Sequence, residues 1–277
     1  MRPLLAFHLH WLAVTCVVVA VVVERALVAT KRERRVTLSA LLTLLVVVVW
    51  PVGDVAATVS LTVATLQRLV IMLLVAPLLL LATPTQLLVR LTRPRVIDDV
   101  VQFFSHPGVA MAFVTLVGTA TLTTPVVDWG ASSSLARGLV LVAVLAAGVV
   151  LWIPGLAMMP GTRRLSPVAR AGYIFASALV VTSLSFVWIF SRHSLYPSLH
   201  HQYALLHMTP LFDQQLAGFV AKFACYIPMW AVAFTIFARA DETNTTEESP
   251  LHWADVEREL LRVDRQRERQ QRRESRE

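Results

Sequence analysis

Long apolar runs punctuate the chain, each broad enough to cross about 30 Å of hydrocarbon, which takes about 20 helical residues. They predict seven helices, over residues 4–29, 36–50, 55–81, 100–122, 135–158, 169–190 and 214–237. Continuous stretches such as residues 17–23 do not alternate apolar with polar positions, as a membrane barrel strand would. The first run follows Met1 and Arg2 closely but leads into Lys31, Arg32, Arg34 and Arg35 rather than a small-residue cleavage site, so it reads as a retained helix and not a secretory signal.

Orientation comes from the lysines and arginines between the runs. They cluster at Lys31 to Arg35, at Arg90, Arg93 and Arg95, at Arg163, Arg164 and Arg170, and in the tail. The alternate loops, around Pro51 to Asp54 and Thr123 to Ser134, carry none, and the next holds only Arg192. Basic loops stay cytoplasmic, which puts the N-terminus outside and the C-terminus inside. The expected fold is therefore an all-α polytopic membrane helix bundle with seven transmembrane helices, N-out and C-in. It divides into a transmembrane domain at 1–239 and a charged cytoplasmic tail at 240–277.

Composition agrees. Of 277 residues, 56% are hydrophobic and only 16% charged, and the mean hydropathy of +0.63 exceeds what a water-facing surface tolerates. The partner this implies is the lipid bilayer, with nothing pointing to nucleic acid. The two cysteines, Cys16 and Cys225, fall inside predicted spans and read as small apolar core residues. Pro77, Pro154 and Pro228 also lie inside spans, where each removes one internal hydrogen bond and is expected to bend its helix.

A few polar residues stand in the oil. Arg68 lies near the middle of the third predicted span, where a charge costs at least about 2.5–3.5 kcal/mol and must meet a partner or water. Gln67 precedes it, Arg137 stands near the start of the fifth span, and Lys222 lies in the seventh. These four are expected to form a buried polar network, although Arg137 also suits snorkelling to the interface. Asp213 opens the last span and is expected to cap that helix's own free amides. His8, His10, His193, His200, His201, His207 and Met208 gather near the predicted outer face, and copper is the one cofactor they suit. Their spacing argues against it, because no histidine pair stands four apart on a helix. No hydrolase, phosphate-loop or dinucleotide motif is present, so the sequence does not read as an enzyme.

Several stretches together resemble one bacterial family. They are Gln67 followed by Val75-Ala76-Pro77 and Thr83-Pro84; Ser105-His106-Pro107; Leu195-Tyr196-Pro197; Asp213-Gln214-Gln215 with Gly218; and, in the tail, Trp253 to Glu259 with Val263-Asp264-Arg265. This combination is similar to the CtaG-like cytochrome c oxidase assembly factors. The resemblance implies a seven-helix protein of the bacterial plasma membrane linked to copper delivery into the oxidase, with oxidase subunits or copper chaperones as partners. It also implies histidines four apart on the third helix, where this chain has Ala64 and Arg68, and on the fifth, where it has Arg137 and Leu141. A further histidine near the end of the fourth corresponds to Thr123. The expected function is a membrane-embedded assembly factor or scaffold without the family's copper ligands. The alternative is a small-solute or ion transporter, motivated by Arg68, Lys222 and the proline-bearing spans.

Overall fold

A computed structural model of the chain describes residues 31–48, 52–159, 162, 165–196 and 208–247. The described residues form helices and contain no strand. In chain order they are α1 (Lys31–Val48), α2 (Val52–Thr58), α3 (Leu61–Ala82), α4 (Thr85–Thr92), α5 (Arg95–Ser105), α6 (Pro107–Ala120), α7 (Thr124–Ser132), α8 (Ser134–Leu156), α9 (Pro167–Phe190) and α10 (Pro210–Glu247).

Four of these, α3, α8, α9 and the Pro210–Ala240 stretch of α10, are long and apolar enough to cross a membrane, and α5 with α6 adds a fifth if counted as one broken span. The first predicted span lies outside the described residues. The second survives as α1, but Lys31, Arg32, Glu33, Arg34 and Arg35 are all charged, so only its later part is oily. Leu66 and Leu74 on α3, Leu139 and Val142 on α8, and Phe223, Ile227 and Phe234 on α10 are exposed, an apolar exterior suited to lipid. Alanines fill the contacts instead: Ala64, Ala76, Ala147, Ala171, Ala178 and Ala217 are all buried, and small side chains let membrane helices approach closely.

The fourth predicted span, drawn straight over residues 100–122, is broken. Pro107 crowds the backbone before it and drives His106 into an extended conformation at φ −73°, ψ 121°. There the chain turns by 91° between α5 and α6. Exposed Val96, Ile97, Val100 and Phe103 sit on α5 with Asp99 and Gln102, so this helix mixes oily and polar positions. The segment expected as a loop around residues 123–134 contains the short helix α7, and α2 runs from the expected loop at 51–54 into the predicted third span, which is interrupted after Thr58 and resumes as α3 at Leu61.

Of the three internal prolines, Pro77 has the clearest consequence. A π-helical turn at Ile71–Val75 precedes it, and the Ala76 N–H reaches back five residues to the Ile71 carbonyl. In that register the next donor belongs to Pro77, which has none, so the Met72 carbonyl loses its helical partner. The indole N–H of Trp152 on α8 takes it at 3.1 Å. Gly148, one turn earlier on α8, permits the approach: a Cβ there would lie 2.8 Å from Ala76 Cβ and 2.9 Å from Met72 Cα. Pro154 falls in the last turn of α8, and α10 is a single helix through Pro228.

α8 ends on Ala157 at φ 51°, ψ 35°. That left-handed conformation crowds an L side chain and favours glycine. Ala157→Gly is therefore expected to stabilise the folded protein by about 0.5–1 kcal/mol, read as a raised unfolding temperature in detergent. α10 is 38 residues long, about 57 Å at 1.5 Å per residue, and continues past the oily region to Glu247.

Candidate functional site

At one end of the bundle the start of α10 clasps its neighbours. The Asp213 side chain is fully buried. Its carboxylate accepts from Ser60 Oγ at 2.7 Å, from the Leu61 N–H at 2.7 Å and from the Thr62 N–H at 3.3 Å. Thr62 Oγ1 in turn donates to the Asp213 carbonyl at 2.9 Å. Asp213 thus caps α3, where the sequence had suggested its own helix. Thr209 serves α10 instead, its hydroxyl accepting from the Phe212 N–H at 3.2 Å. The reason is register: Asp213 lies one turn inside α10, facing the bare amides of α3 and not preceding its own.

The next two residues hold the segment that follows α9. Gln214 Oε1 accepts from the Leu195 N–H at 2.7 Å, and Gln215 Nε2 donates to the Ser191 carbonyl at 3.3 Å. Gly218 then lets α10 meet α9, since a Cβ there would lie 2.9 Å from the Ser185 carbonyl oxygen. The secured segment delivers Tyr196 to the core. Its hydroxyl donates to the Leu122 carbonyl at 2.6 Å and accepts from Trp188 Nε1 at 3.1 Å. Burial pushes that hydroxyl above its ordinary pKa, while the Trp188 bond and the Arg68 charge pull it down.

Beneath this clasp lies a cavity of about 40 Å³. α3 contributes Ala64, Gln67 and Arg68; α8 contributes Arg137 and Leu141; α2 and α7 close it with Ala56, Val126, Val127 and Gly130. Gln67 turns its amide Nε2 to the Val47 carbonyl of α1 at 2.9 Å. Arg68 also borders a second, mostly apolar cavity of about 70 Å³, beside Thr65, Thr182 and Trp188. Its Nη1 is buried and has no hydrogen-bond partner. Two guanidiniums therefore meet one small chamber whose described walls offer no imidazole, thiolate, thioether or carboxylate.

Of the four polar residues expected together, Gln67, Arg68 and Arg137 share that chamber, and Lys222 lies elsewhere. Its Nζ sits 3.5 Å from the Phe186 ring centroid, and it donates to the Tyr226 hydroxyl at 3.2 Å and to the Thr182 carbonyl at 3.5 Å. Thr182 stands at the break within α9, where its carbonyl also accepts from the Ser185 N–H and hydroxyl, and an aromatic face stabilises a desolvated ammonium. Among the proposed metal-binding residues, His8, His10, His200, His201 and His207 lie outside the described residues. His193 is exposed and Met208 is half-buried. Among the described residues no group of three His, Cys, Asp or Glu is placed to hold a metal ion.

Sequence reasoning passed over Ser60, and it noted Tyr196 only within the Leu195-Tyr196-Pro197 stretch, without a role. Ser60 had a signal, a hydroxyl just before an apolar helical run, and it accepts from the Val63 N–H at 3.3 Å as an N-cap. The role of Tyr196 was not legible, because its partners are 8 and 74 residues away.

Compared with known families, the chain matches the model described as cytochrome c oxidase caa3 assembly factor over residues 15–241. No curated protein and no solved structure matches it.

Proposed function

The chain belongs to the cytochrome c oxidase caa3 assembly factor family, and on that premise we propose that it is a non-catalytic membrane scaffold in oxidase assembly that holds no copper between α3 and α8. The carrying observation is the chamber itself. Ala64, Arg68, Arg137 and Leu141, four of the five positions where the resemblance implies histidines, all border it, and the fifth, Thr123, does not. A guanidinium stays protonated and has no lone pair to give a metal, so a copper ion does not fit this donor set. Two positive charges also repel a cation entering the same space.

The scaffold reading includes a seven-span layout in the bacterial plasma membrane, with the N-terminus outside and residues 240–277 inside. The clasp and the chamber then face outward. Arg90, Arg93, Arg95 and Arg170 belong to the cytoplasmic end. The partners in this reading are oxidase subunits, or the copper chaperones that serve them.

Deleting the gene and tagging its product tests this directly. The tagged protein is expected to bring down oxidase subunits, and its loss to lower assembled oxidase, while the purified protein carries no stoichiometric copper. Unchanged oxidase level and copper content in the deletion strain, with no subunit recovered, would remove the assembly role. Stoichiometric copper lost on changing His207 and Met208 would overturn the metal-free part alone.

A further inference from the structure

We propose that α5 lies in the plane of the membrane and docks an exposed apolar stripe on the phospholipid surface, so that α6 alone carries the crossing drawn over residues 100–122. This goes beyond the assembly role and does not depend on it.

The two halves of α5 differ in chemistry. At 3.6 residues per turn, Val96, Ile97, Val100, Val101, Phe103 and Phe104 fall on one half of the helix, and Arg95, Asp98, Asp99 and Gln102 on the other. Packing within the bundle uses only part of the oily half. Phe104 is partly buried against the core, its ring centroid 4.8 Å from that of Phe113 on α6. Val96, Val100 and Phe103, at i, i+4 and i+7, remain outside as a stripe, with Val96 74% exposed and Phe103 59%. The polar half carries its own contact, Gln102 Nε2 donating to Asp98 Oδ2 at 2.9 Å. A short helix with one oily and one charged face is the form that rests in the boundary between headgroups and acyl chains.

Angle and length choose lipid as the cover. α5 leaves α6 at 91°. Membrane helices tilt by about 20° on average, so with α6 near the bilayer normal α5 runs nearly parallel to the surface. α6 has 14 residues, about 21 Å at 1.5 Å each, and falls short of a hydrocarbon core about 30 Å thick. An in-plane helix sunk about 5–10 Å below one boundary makes up the difference. Exposed Leu116 extends the same apolar exterior along α6. Charge agrees with this depth. Arg90, Arg93 and Arg95 are exposed around the turn between α4 and α5, where their guanidiniums complement the lipid phosphates.

The test uses the full chain in phospholipid nanodiscs, carrying Cys16→Ser with the fully buried Cys225 left in place. One nitroxide at a time is attached through Val96→Cys, Val100→Cys, Phe103→Cys, Asp99→Cys or Gln102→Cys, all at exposed positions, and the chain without an added cysteine is the blank. Collision rates with oxygen and with a water-soluble nickel chelate give the depth of each label. Residues 96, 100 and 103 are expected at about 5–10 Å below the boundary and within about 3 Å of one another. Residues 99 and 102 should meet the chelate several-fold more often. A helix that crosses the bilayer would instead spread residues 96 to 103 over about 10 Å of depth, and that result would overturn the proposal. Free access of the chelate to all three stripe positions, the mark of a face open to water or to a protein partner, would overturn it as well. So would stripe positions that neither reagent reaches, because protein would then cover them. With no oxidase in the nanodisc, none of these outcomes bears on the assembly role.

Discussion

Asp213→Ala is expected to destabilise the folded protein by about 4 kcal/mol, because it orphans several buried donors at once. The Ser60 hydroxyl and the amides of Leu61 and Thr62 converge on this one carboxylate. Each donor left without an acceptor costs about 1–3 kcal/mol where water cannot replace the lost partner. Single hydrogen bonds between membrane helices average only about 0.6 kcal/mol, since the separated helices find other partners. That average does not apply here. Leu61 and Thr62 are first-turn amides of α3, with no carbonyl in their own helix to accept them, and the acceptor is ionised rather than neutral. Asp213→Asn keeps one carbonyl oxygen in place and should lose about half as much. Reversible unfolding in mixed micelles measures both. Protease cutting near residues 58–62 should rise in parallel, because the α3 terminus comes loose from α10. A loss below about 1 kcal/mol for the alanine variant would mean that other groups hold this end of the bundle.

The same clasp shows which features of the fold a reader of the sequence can and cannot extract. The oily runs that became α3, α8, α9 and α10 were legible, because burying a backbone in lipid leaves few alternatives to a helix. Asp213-Gln214-Gln215 was legible as a unit but not as a clasp. Its contacts lie at Ser60 to Thr62 and at Ser191 to Leu195, and nothing local encodes such pairings. Arg68 was legible as an anomaly from hydropathy alone. That it shares a chamber with Arg137, 69 positions on, follows from how α3 packs against α8, and that packing depends on the Pro77 turn and Gly148. The break at His106 was written plainly in Ser105-His106-Pro107, yet the apolar run continues across it, so hydropathy alone draws a straight span. α7 was missed, and α2 was merged with the start of the third span, because short helices carry little periodicity and their stability comes from what they cover.

Gly148→Leu is the second large effect expected, about 3 kcal/mol or more, because it pushes apart two helices that touch through backbone. A Cβ at residue 148 would meet Met72 Cα at 2.9 Å and the Met72 carbonyl oxygen at 3.0 Å, besides Ala76 Cβ at 2.8 Å. Backbone atoms cannot rotate away as a side-chain tip can, so α3 and α8 must separate. Separation also lengthens the 3.1 Å bond from Trp152 to the Met72 carbonyl, the one donor that replaces what Pro77 withholds. Gly148→Ala should already cost about 1–3 kcal/mol by the same overlap. Gly155 is the matched control on the same helix: its Cβ would meet only side-chain atoms of Trp152 and Ile174, at 3.4 and 3.5 Å, and Gly155→Ala should change stability by no more than about 0.5 kcal/mol. Adding Ala76→Gly to Gly148→Ala removes the shortest overlap and leaves the two backbone ones, so rescue should be partial, measured as coupling in a double-mutant cycle. Because Arg68 stands one turn from Met72 on α3 and Arg137 lies on α8, the separated helices should also lose the chamber between them.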